Sequence, residues 1–176
     1  AEMVIFEAGI SQKSEMDKLQ NIIQPSIGIF TNIGQAHSEN FNSLKEKVQE
    51  KVKLFSSVEK LIYCKDHTEI HSIVSKGVKG ELLSWSKQDT SAFVYVKSIV
   101  QEGEKSTINL IHKALEKQFS IPFQDEASIE NCIHIICTLI SLKVSDTEIQ
   151  KSLHQLQSLA MRLELKEAKG NSLLIN

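Results

Sequence analysis

Glycine, proline, cysteine and arginine are all scarce in this chain of 176 residues. Seven glycines and two prolines are too few for a collagen-like or low-complexity protein, and 41% apolar residues are enough for a folded core. The three cysteines, Cys64, Cys132 and Cys137, are odd in number and lack CxxC spacing. This pattern favours reduced core thiols over a disulfide framework.

An excess of one charge and a long hydrophobic run are missing as well. Twenty basic and 22 acidic side chains leave a net charge of −2, and Arg162 is the single arginine. A nucleic-acid surface requires clustered basic residues, so the composition argues against DNA or RNA as a partner. No apolar run approaches the ~20 residues of a membrane span, and no secretory signal is visible. We therefore expect a cytoplasmic protein.

Apolar runs alternate with helical patterns in the first half of the chain. Continuous apolar runs predict strands buried on both faces at residues 3–6, 27–30, 60–64 and 81–85. Helices are predicted at residues 13–23, 43–57 and 66–75. The alternation predicts an α/β fold with a mostly parallel, doubly wound sheet.

The pattern changes near Ser91. Short extended runs at 92–100, 107–112 and 118–121, with Gly103 at a turn, predict a small antiparallel sub-sheet. Helices at 128–142 and 145–156 and extended segments at 162–166 and 172–175 complete the pattern. Both ends of the chain fall inside apolar runs, so we expect it to be a piece of a longer protein.

Two polar side chains follow predicted strands. Glu7 comes directly after the run 3–6, and His37 lies in the polar loop beyond the run 27–30. Ligands of open α/β sheets bind beyond the carboxyl ends of the strands. If these two strands are neighbours, a carboxylate and an imidazole there can bind a divalent ion or act as acid and base. The spacing alone equally allows both to be solvated loop residues.

A lysine interrupts the apolar stripe of the predicted helix 43–57. The stripe is formed by Phe41, Leu44, Val48, Val52 and Phe55. At about 100° per residue, Lys51 lies roughly 20° from Leu44. Such a lysine either extends to the helix edge or has a partner or a modified amine, because an unpaired buried ammonium is costly. The pattern leaves both interpretations open.

Asn131 and Arg162 are the remaining candidates for ligand binding, whereas His134 is interpreted as a structural core histidine. Asn131 lies in the first turns of helix 128–142, where its amide can read a heterocycle edge or serve only as a polar helix start. Arg162 can pair with a phosphate or a carboxylate. No glycine-rich phosphate loop occurs in the chain. The residues alone predict an α/β domain with a metal or nucleotide site.

Four segments, in order along the chain, resemble the Mur ligase family. Residues 7–16 (EAGISQKSEM) are similar to the family's E-x-G segment, and residues 31–41 (TNIGQAHSENF) to its T-N-x-x-x-A-H segment. Residues 128–131 (SIEN) resemble its H-N-V-x-N, and residues 161–164 (MRLE) its G-R-[FM]-E. The T-N-x-x-x-A-H segment is the most specific of the four.

This resemblance implies a fold and a reaction. The chain would be part of the central ATP-binding domain of a Mur ligase, without its first strand, phosphate loop and helix. The UDP-sugar domain before it and the amino-acid-binding domain after it would also be absent. The family forms a peptide bond with ATP through an acyl phosphate. The segments are most similar to the type that joins D-Ala-D-Ala to UDP-N-acetylmuramoyl-tripeptide, which in some versions is fused to an alanine racemase.

The resemblance also implies roles for individual residues. Glu7, His37 and Lys51 match the magnesium-binding positions, with Lys51 at the position of a carbamylated lysine. Asn32, Asn131 and Arg162 match positions beside the nucleotide, with Asn131 at the adenine contact. A carbamylated Lys51 would no longer be a cation, and this would explain its place on an apolar stripe. His37 and the modified Lys51 would be the catalytic residues.

Several positions depart from the family pattern. Ser11 and Ser128 stand where asparagines are usual, and the glycine before Arg162 is absent. These departures weaken the assignment of the substrate more than that of the family. Another Mur ligase, a ligase like folylpolyglutamate synthase, and a non-catalytic α/β binding module remain alternatives. The fragment by itself is expected to be inactive.

Overall fold

The computed structural model describes residues 3–34, 38–157, 165–168 and 172–175. The described helices are α1 (Glu15–Ile23), α2 (Leu44–Val52), α3 (Thr68–Gly77), α4 (Glu126–Ser141) and α5 (Asp146–Leu153). The strands are β1 (Ile27–Phe30), β2 (Lys60–Cys64), β3 (Glu81–Ser86), β4 (Val94–Glu102), β5 (Lys105–His112), β6 (Leu115–Ile121), β7 (Leu165–Ala168) and β8 (Ser172–Ile175). Short 3-10 turns occupy Ser38–Asn40 and Lys53–Phe55.

One mixed sheet organises the molecule. Its six strands lie in the order β1-β2-β3-β4-β5-β6. The first four pair in parallel, whereas β5 and β6 add to β4 as antiparallel hairpins. The predicted α/β class and the antiparallel strands are both confirmed, and the antiparallel strands continue the parallel sheet. A separate hairpin pairs β7 with β8.

Helices cover both faces of the sheet, as a doubly wound fold requires. Successive side chains of β2 point to opposite faces. Leu61 and Tyr63 join the core under α1, α2 and α3, and Ile62 and Cys64 join the core under α4 and α5. Continuous apolar runs such as KLIYC therefore mark strands buried on both faces.

Local sequence signals set where the helices begin. The Ser43 hydroxyl accepts a hydrogen bond from the Glu46 amide at 3.1 Å, which starts α2. The Asp125 carboxylate accepts one from the Ser128 amide at 2.8 Å, which starts α4. Ser145 and Glu148 form a reciprocal capping box at the start of α5. These caps satisfy backbone amides that lack partners within the helix.

The predicted strand at residues 3–6 is wrong in this structure. Met3, Val4, Ile5 and Phe6 are each at least 60% exposed, and these residues form no strand. A strand buried on both faces needs neighbouring strands and covering helices, and among the described residues this segment has neither. The outer edge of β1 likewise has no strand partner within the described part of the chain.

The opposite edge of the sheet is covered. The side-chain amide of Gln150 on α5 donates to the Ser120 carbonyl at 2.9 Å and accepts from the Ser120 amide at 2.8 Å. The Gln150 side chain thus pairs with both backbone groups of Ser120, as a residue of a neighbouring strand would. Lys117 on the same strand forms an ion pair with Asp146 at the start of α5.

The structure also bears on the predictions about the cysteines and about membrane-spanning segments. All three cysteines are buried and free, as predicted, and burial raises the pKa of the Cys64 thiol to about 12. In the described part of the chain, no helix combines the length and apolar character needed to cross a membrane.

Candidate functional site

The parallel strands β1, β2 and β3 end at the same edge of the sheet. The loop at residues 31–34 follows β1, the segment 65–67 follows β2, and residues 87–89 follow β3. Helix α4 begins beside this edge, since Glu126 and Glu130 line the same cleft as residues after β2 and β3. This is the edge at which open α/β sheets bind their ligands.

Two lysines of α2 contact the loop that follows β1. The Lys47 ammonium donates to the Gly34 carbonyl at 2.8 Å, and the Lys51 ammonium reaches the Asn32 carbonyl at 3.4 Å. The two side chains are one helical turn apart, so they leave α2 in similar directions. Lys47 is 3% exposed, which makes it the more deeply buried of the two.

Lys51 lies in partly apolar surroundings. Its ammonium sits 5.2 Å from the centre of the Phe30 ring. Burial, followed by the positive charge of Lys47, lowers the pKa of Lys51, while the negative charge of Glu7 acts in the opposite direction. A lowered pKa makes the neutral, nucleophilic amine easier to reach. The predicted apolar setting of Lys51 is therefore present, although Leu44 of the predicted stripe is 49% exposed.

The predicted site residues are only partly brought together. Glu7 is exposed, and its charge acts to raise the pKa of Lys51. The exposed Asn32 contacts Lys51 through its carbonyl. His37 and Arg162 lie outside the described residues. Within residues 3–34 and 38–157, no group of three histidine, cysteine, aspartate or glutamate side chains could hold a metal ion.

Asn131 lies on α4, as predicted, and its side chain is exposed. The neighbouring residues Glu126 and Glu130 line a cleft at the carboxyl edge, and Asn131 does not belong to that lining. Its predicted contact with a base therefore requires a ligand that reaches the outer surface of α4.

The cleft has a volume of about 510 Å³ and lies beyond β2 and β3. Its lining is a mixture of apolar side chains, such as Ile33 and Trp85, with polar and charged ones. The His67 ring and the Glu130 carboxylate lie next to each other in this lining, with 3.6 Å between Nε2 and Oε1. The combination of an apolar wall and a polar rim suits a small organic ligand.

Asp66 holds the loops around this cleft in place. Its carboxylate accepts hydrogen bonds from the Ser86 hydroxyl and, at 2.7 Å, from the Lys87 amide. The end of β2 is thereby tied to the turn after β3. Such contacts preserve the shape of a ligand cleft when no ligand is bound.

His134 ties α4 to the end of β1. Its ring nitrogens lie 2.8 Å from the Glu130 carbonyl and 3.1 Å from the Phe30 carbonyl, and the ring is 2% exposed. Burial lowers the pKa of His134, although both carbonyls and the Glu130 charge oppose that effect. The interpretation of His134 as a structural histidine is confirmed.

Sequence reasoning missed Lys47 and the His67–Glu130 pair. Lys47 lies about 40° from Lys51 around α2, so it is at the border of the apolar stripe. Its burial comes from the loop at residues 31–34, which helical periodicity does not reveal. His67 and Glu130 are 63 positions apart in sequence, and only the approach of α4 to β2 brings them together.

The sequence matches the family model of the Mur ligase middle domain over residues 1–139. A curated relative, the UDP-N-acetylmuramoyl-tripeptide--D-alanyl-D-alanine ligase of Bacillus subtilis, is 26% identical over 182 aligned positions. That alignment covers 99% of this chain and 37% of the relative. The chain therefore spans little more than a third of the length of this relative.

Solved structures show the same fold. MurF from Acinetobacter baumannii superposes with a TM-score of 0.76 at 21% identity, covering 95% of this chain and 37% of that one. MurF from Thermotoga maritima in complex with ADP gives a TM-score of 0.68 at 15% identity, covering 91% and 37%. Both likenesses concern the mixed sheet and its helices.

Proposed function

The chain belongs to the Mur ligase family through its middle domain, and from that membership we propose that it is part of the ATP-binding domain of a peptide-bond-forming ligase. We further propose that the parent protein joins D-Ala-D-Ala to UDP-N-acetylmuramoyl-tripeptide in peptidoglycan synthesis. The name of the Bacillus subtilis relative, which aligns along 99% of this chain, supports that choice of substrates. The UDP-sugar domain and the C-terminal domain would lie outside these residues, and a fused alanine racemase is a further proposal about the parent.

The proposed metal site consists of Glu7, His37 and Lys51. An unmodified Lys51 ammonium would repel Mg²⁺, whereas a carbamylated Lys51 would offer a carboxylate, the type of ligand that Mg²⁺ prefers. Carbamylation needs the neutral amine, and burial already lowers the pKa of Lys51. The donor set therefore fits a magnesium ion once Lys51 is modified.

The proposed nucleotide contacts come from Asn32, Asn131 and Arg162. Asn32 lies in the loop after β1 and Asn131 lies on α4, and both side chains are exposed. A ligand can therefore reach both amides from solvent. An amide donates and accepts at once, as the edge of adenine requires. An ADP-bound relative with the same fold supports a nucleotide as the ligand.

In this proposal ATP would supply the phosphoryl group, and a magnesium ion held by Glu7, His37 and Lys51 would neutralise charge on the phosphate oxygens. The residues of this chain have simpler tasks. The Lys51 ammonium contacts the Asn32 carbonyl at 3.4 Å, and the negative charge of Glu7 acts on Lys51. The sheet holds these groups on one edge, where a substrate carboxylate and ATP can meet. ATP and such substrates are cytoplasmic, which is where we place the protein.

The setting of Lys51 carries the proposal. A half-buried lysine with a lowered pKa, beside a carboxylate at the carboxyl edge of a parallel sheet, has no evident use in a binding module. The same position matches the modified lysine of the family pattern. The lowered pKa and the position both favour an enzyme over a scaffold.

The test measures phosphate release by the full-length protein. Mg-ATP is supplied with UDP-N-acetylmuramoyl-tripeptide, with D-Ala-D-Ala, with both or with neither. Release that requires both substrates is the expected result. Release with a different amino acid would assign another Mur-type ligase, and the absence of both release and ATP binding would contradict the proposal.

A further inference from the structure

A buried cation, Lys47, stands next to the proposed site. Lys47 is 3% exposed, and its ammonium donates to the Gly34 carbonyl at 2.8 Å. Burying an ammonium costs several kcal/mol unless hydrogen bonds compensate. A lysine at this depth therefore stabilises a specific arrangement of the groups that it contacts.

One of the groups that Lys47 contacts is the loop that carries Asn32. The loop at residues 31–34 leaves β1 and runs beside α2, which contacts it at two points. Lys47 binds the Gly34 carbonyl, and Lys51 binds the Asn32 carbonyl two residues earlier. The Lys47 contact is shorter and better shielded from water, so it contributes more to holding the loop.

The position of the loop determines the position of two proposed site residues. Asn32 belongs to the loop itself, and the Lys51 ammonium contacts the Asn32 carbonyl at 3.4 Å. Without the contact at Gly34, both the loop and the Lys51 side chain would have more freedom. When the residues of a pre-organised site become more mobile, the site binds its ligand more weakly, although no ligand contact has been removed.

We propose that Lys47 is a positioning residue of the proposed ligase site, which holds the loop at residues 31–34 against α2 and so fixes Asn32 and Lys51. The inference rests on the proposed function for the ligand, Mg-ATP. The contact between Lys47 and Gly34 is independent of that function.

Three variants of the full-length protein test the proposal. Lys47→Met keeps the length of the side chain and removes the charge and the donors. Lys47→Arg keeps both, and it should restore part of the function. Lys45→Met is the matched control, because Lys45 is an exposed lysine on the same helix.

The main readouts are the dissociation constant for Mg-ATP by calorimetry, together with KM, kcat and the thermal midpoint. Lys47→Met should raise the dissociation constant and KM for Mg-ATP by about tenfold or more, since it removes at least the charged hydrogen bond to Gly34, with a smaller change in kcat. Lys47→Arg should recover most of that loss, and Lys45→Met should match the wild type. A Lys47→Met protein that is less stable but binds Mg-ATP as before would overturn the positioning role.

A second readout does not depend on the function. The buried Lys47 ammonium should give a slowly exchanging nitrogen-bound proton signal in the magnetic resonance spectrum of ¹⁵N-lysine-labelled protein. Lys47→Met should remove this signal, and Lys45→Met should leave it. Its absence from the wild type would overturn the contact itself, whereas a wild type with the signal but no ATP binding would refute the proposed function alone.

Discussion

His134 joins two parts of the fold through its ring, between the last residue of β1 and the second turn of α4. Burial lowers its pKa below the ordinary value of 6.5. As the pH falls, the His134 ring is therefore protonated in the unfolded chain before it is protonated in the folded chain. The contribution of His134 to the free energy of unfolding is complete above about pH 6.5 and is lost as the pH falls from there through the folded pKa.

We predict that replacing His134 flattens the pH dependence of stability. His134→Gln keeps a hydrogen-bond donor but cannot take up a proton. The urea midpoint of the wild type should fall more between about pH 7.5 and pH 5 than that of His134→Gln. The exposed His154, as His154→Gln, is the control and should follow the wild type. Parallel curves for all three proteins would show that His134 does not contribute.

Lys51 gives the second prediction at this scale. If a carbamylated Lys51 provides a carboxylate, Lys51→Ala should lower phosphate release by at least about 10- to 100-fold, the loss caused by removing a group that only supports a metal ligand. A short carboxylic acid added to the solution should restore part of the rate by filling the vacated space. The measurement is the rate of phosphate release by the full-length protein.

Lys53→Ala is the control for Lys51. Lys53 lies on the same chain segment but is ion-paired with Asp17 and Glu50 at 2.9 and 2.7 Å, away from the loop after β1. It should keep the wild-type rate and ignore the added acid. If Lys51→Ala releases phosphate at the wild-type rate, or if no added carboxylic acid raises the rate of Lys51→Ala, the hypothesis of a carbamylated Lys51 is refuted.

At the scale of elements, α5 covers the outer edge of β6 through Gln150. Edge strands with free backbone groups pair readily with other chains. We predict that Gln150→Ala lowers the free energy of unfolding by about 1–2 kcal/mol, the net value of two hydrogen bonds. Gln150→Ala should also self-associate at lower protein concentration than the wild type, as measured by sedimentation.

The exposed Gln155 offers a matched control just beyond α5. Gln155→Ala removes an amide of the same size that does not contact β6. It should unfold and sediment as the wild type does. Identical behaviour of the two variants would mean that the amide of Gln150 does not protect this edge.

The elements also show how far the sequence predicts the fold. The runs at residues 27–30 and 60–64 are strands with those bounds, because an apolar run buried on both faces stands out against polar loops. The prediction of a strand at the equally apolar run of residues 3–6 was wrong. Burial depends on neighbouring strands, and a run of residues carries no information about whether its neighbours are present.

The candidate site divides in the same way. The unusual setting of Lys51 could be predicted, because helical periodicity fixes which face of α2 it occupies. The deeper burial of Lys47 could not, since it depends on a loop that folds over the helix from 13 positions away. The roles of Glu7, His37, Asn32, Asn131 and Arg162 stay predictions, because they concern ligands rather than the chain.

The two edges of the sheet give the whole molecule an asymmetry. On the β6 edge, Gln150 of α5 binds the Ser120 backbone, whereas in the described residues the β1 edge has no strand partner and Ile29 on β1 is 40% exposed. The residues that follow the exposed apolar run 3–6, Ala8 and Ile10, pack in the same core cluster as Phe30 of β1. The proposed metal and nucleotide residues Glu7, Asn32 and Lys51 also lie near β1. In the proposed ligase, the parts of the parent outside this chain would adjoin the free edge.

The last prediction concerns the 176-residue chain taken alone. Phosphoryl transfer needs backbone amides or cations around the phosphate oxygens, usually from a glycine-rich loop. The sequence contains no such loop, so the chain should release no phosphate from Mg-ATP with both proposed substrates, whereas the full-length protein should. Circular dichroism must first show that the isolated chain is folded. Release by the folded chain at the full-length rate would mean that these 176 residues already hold a complete phosphate site.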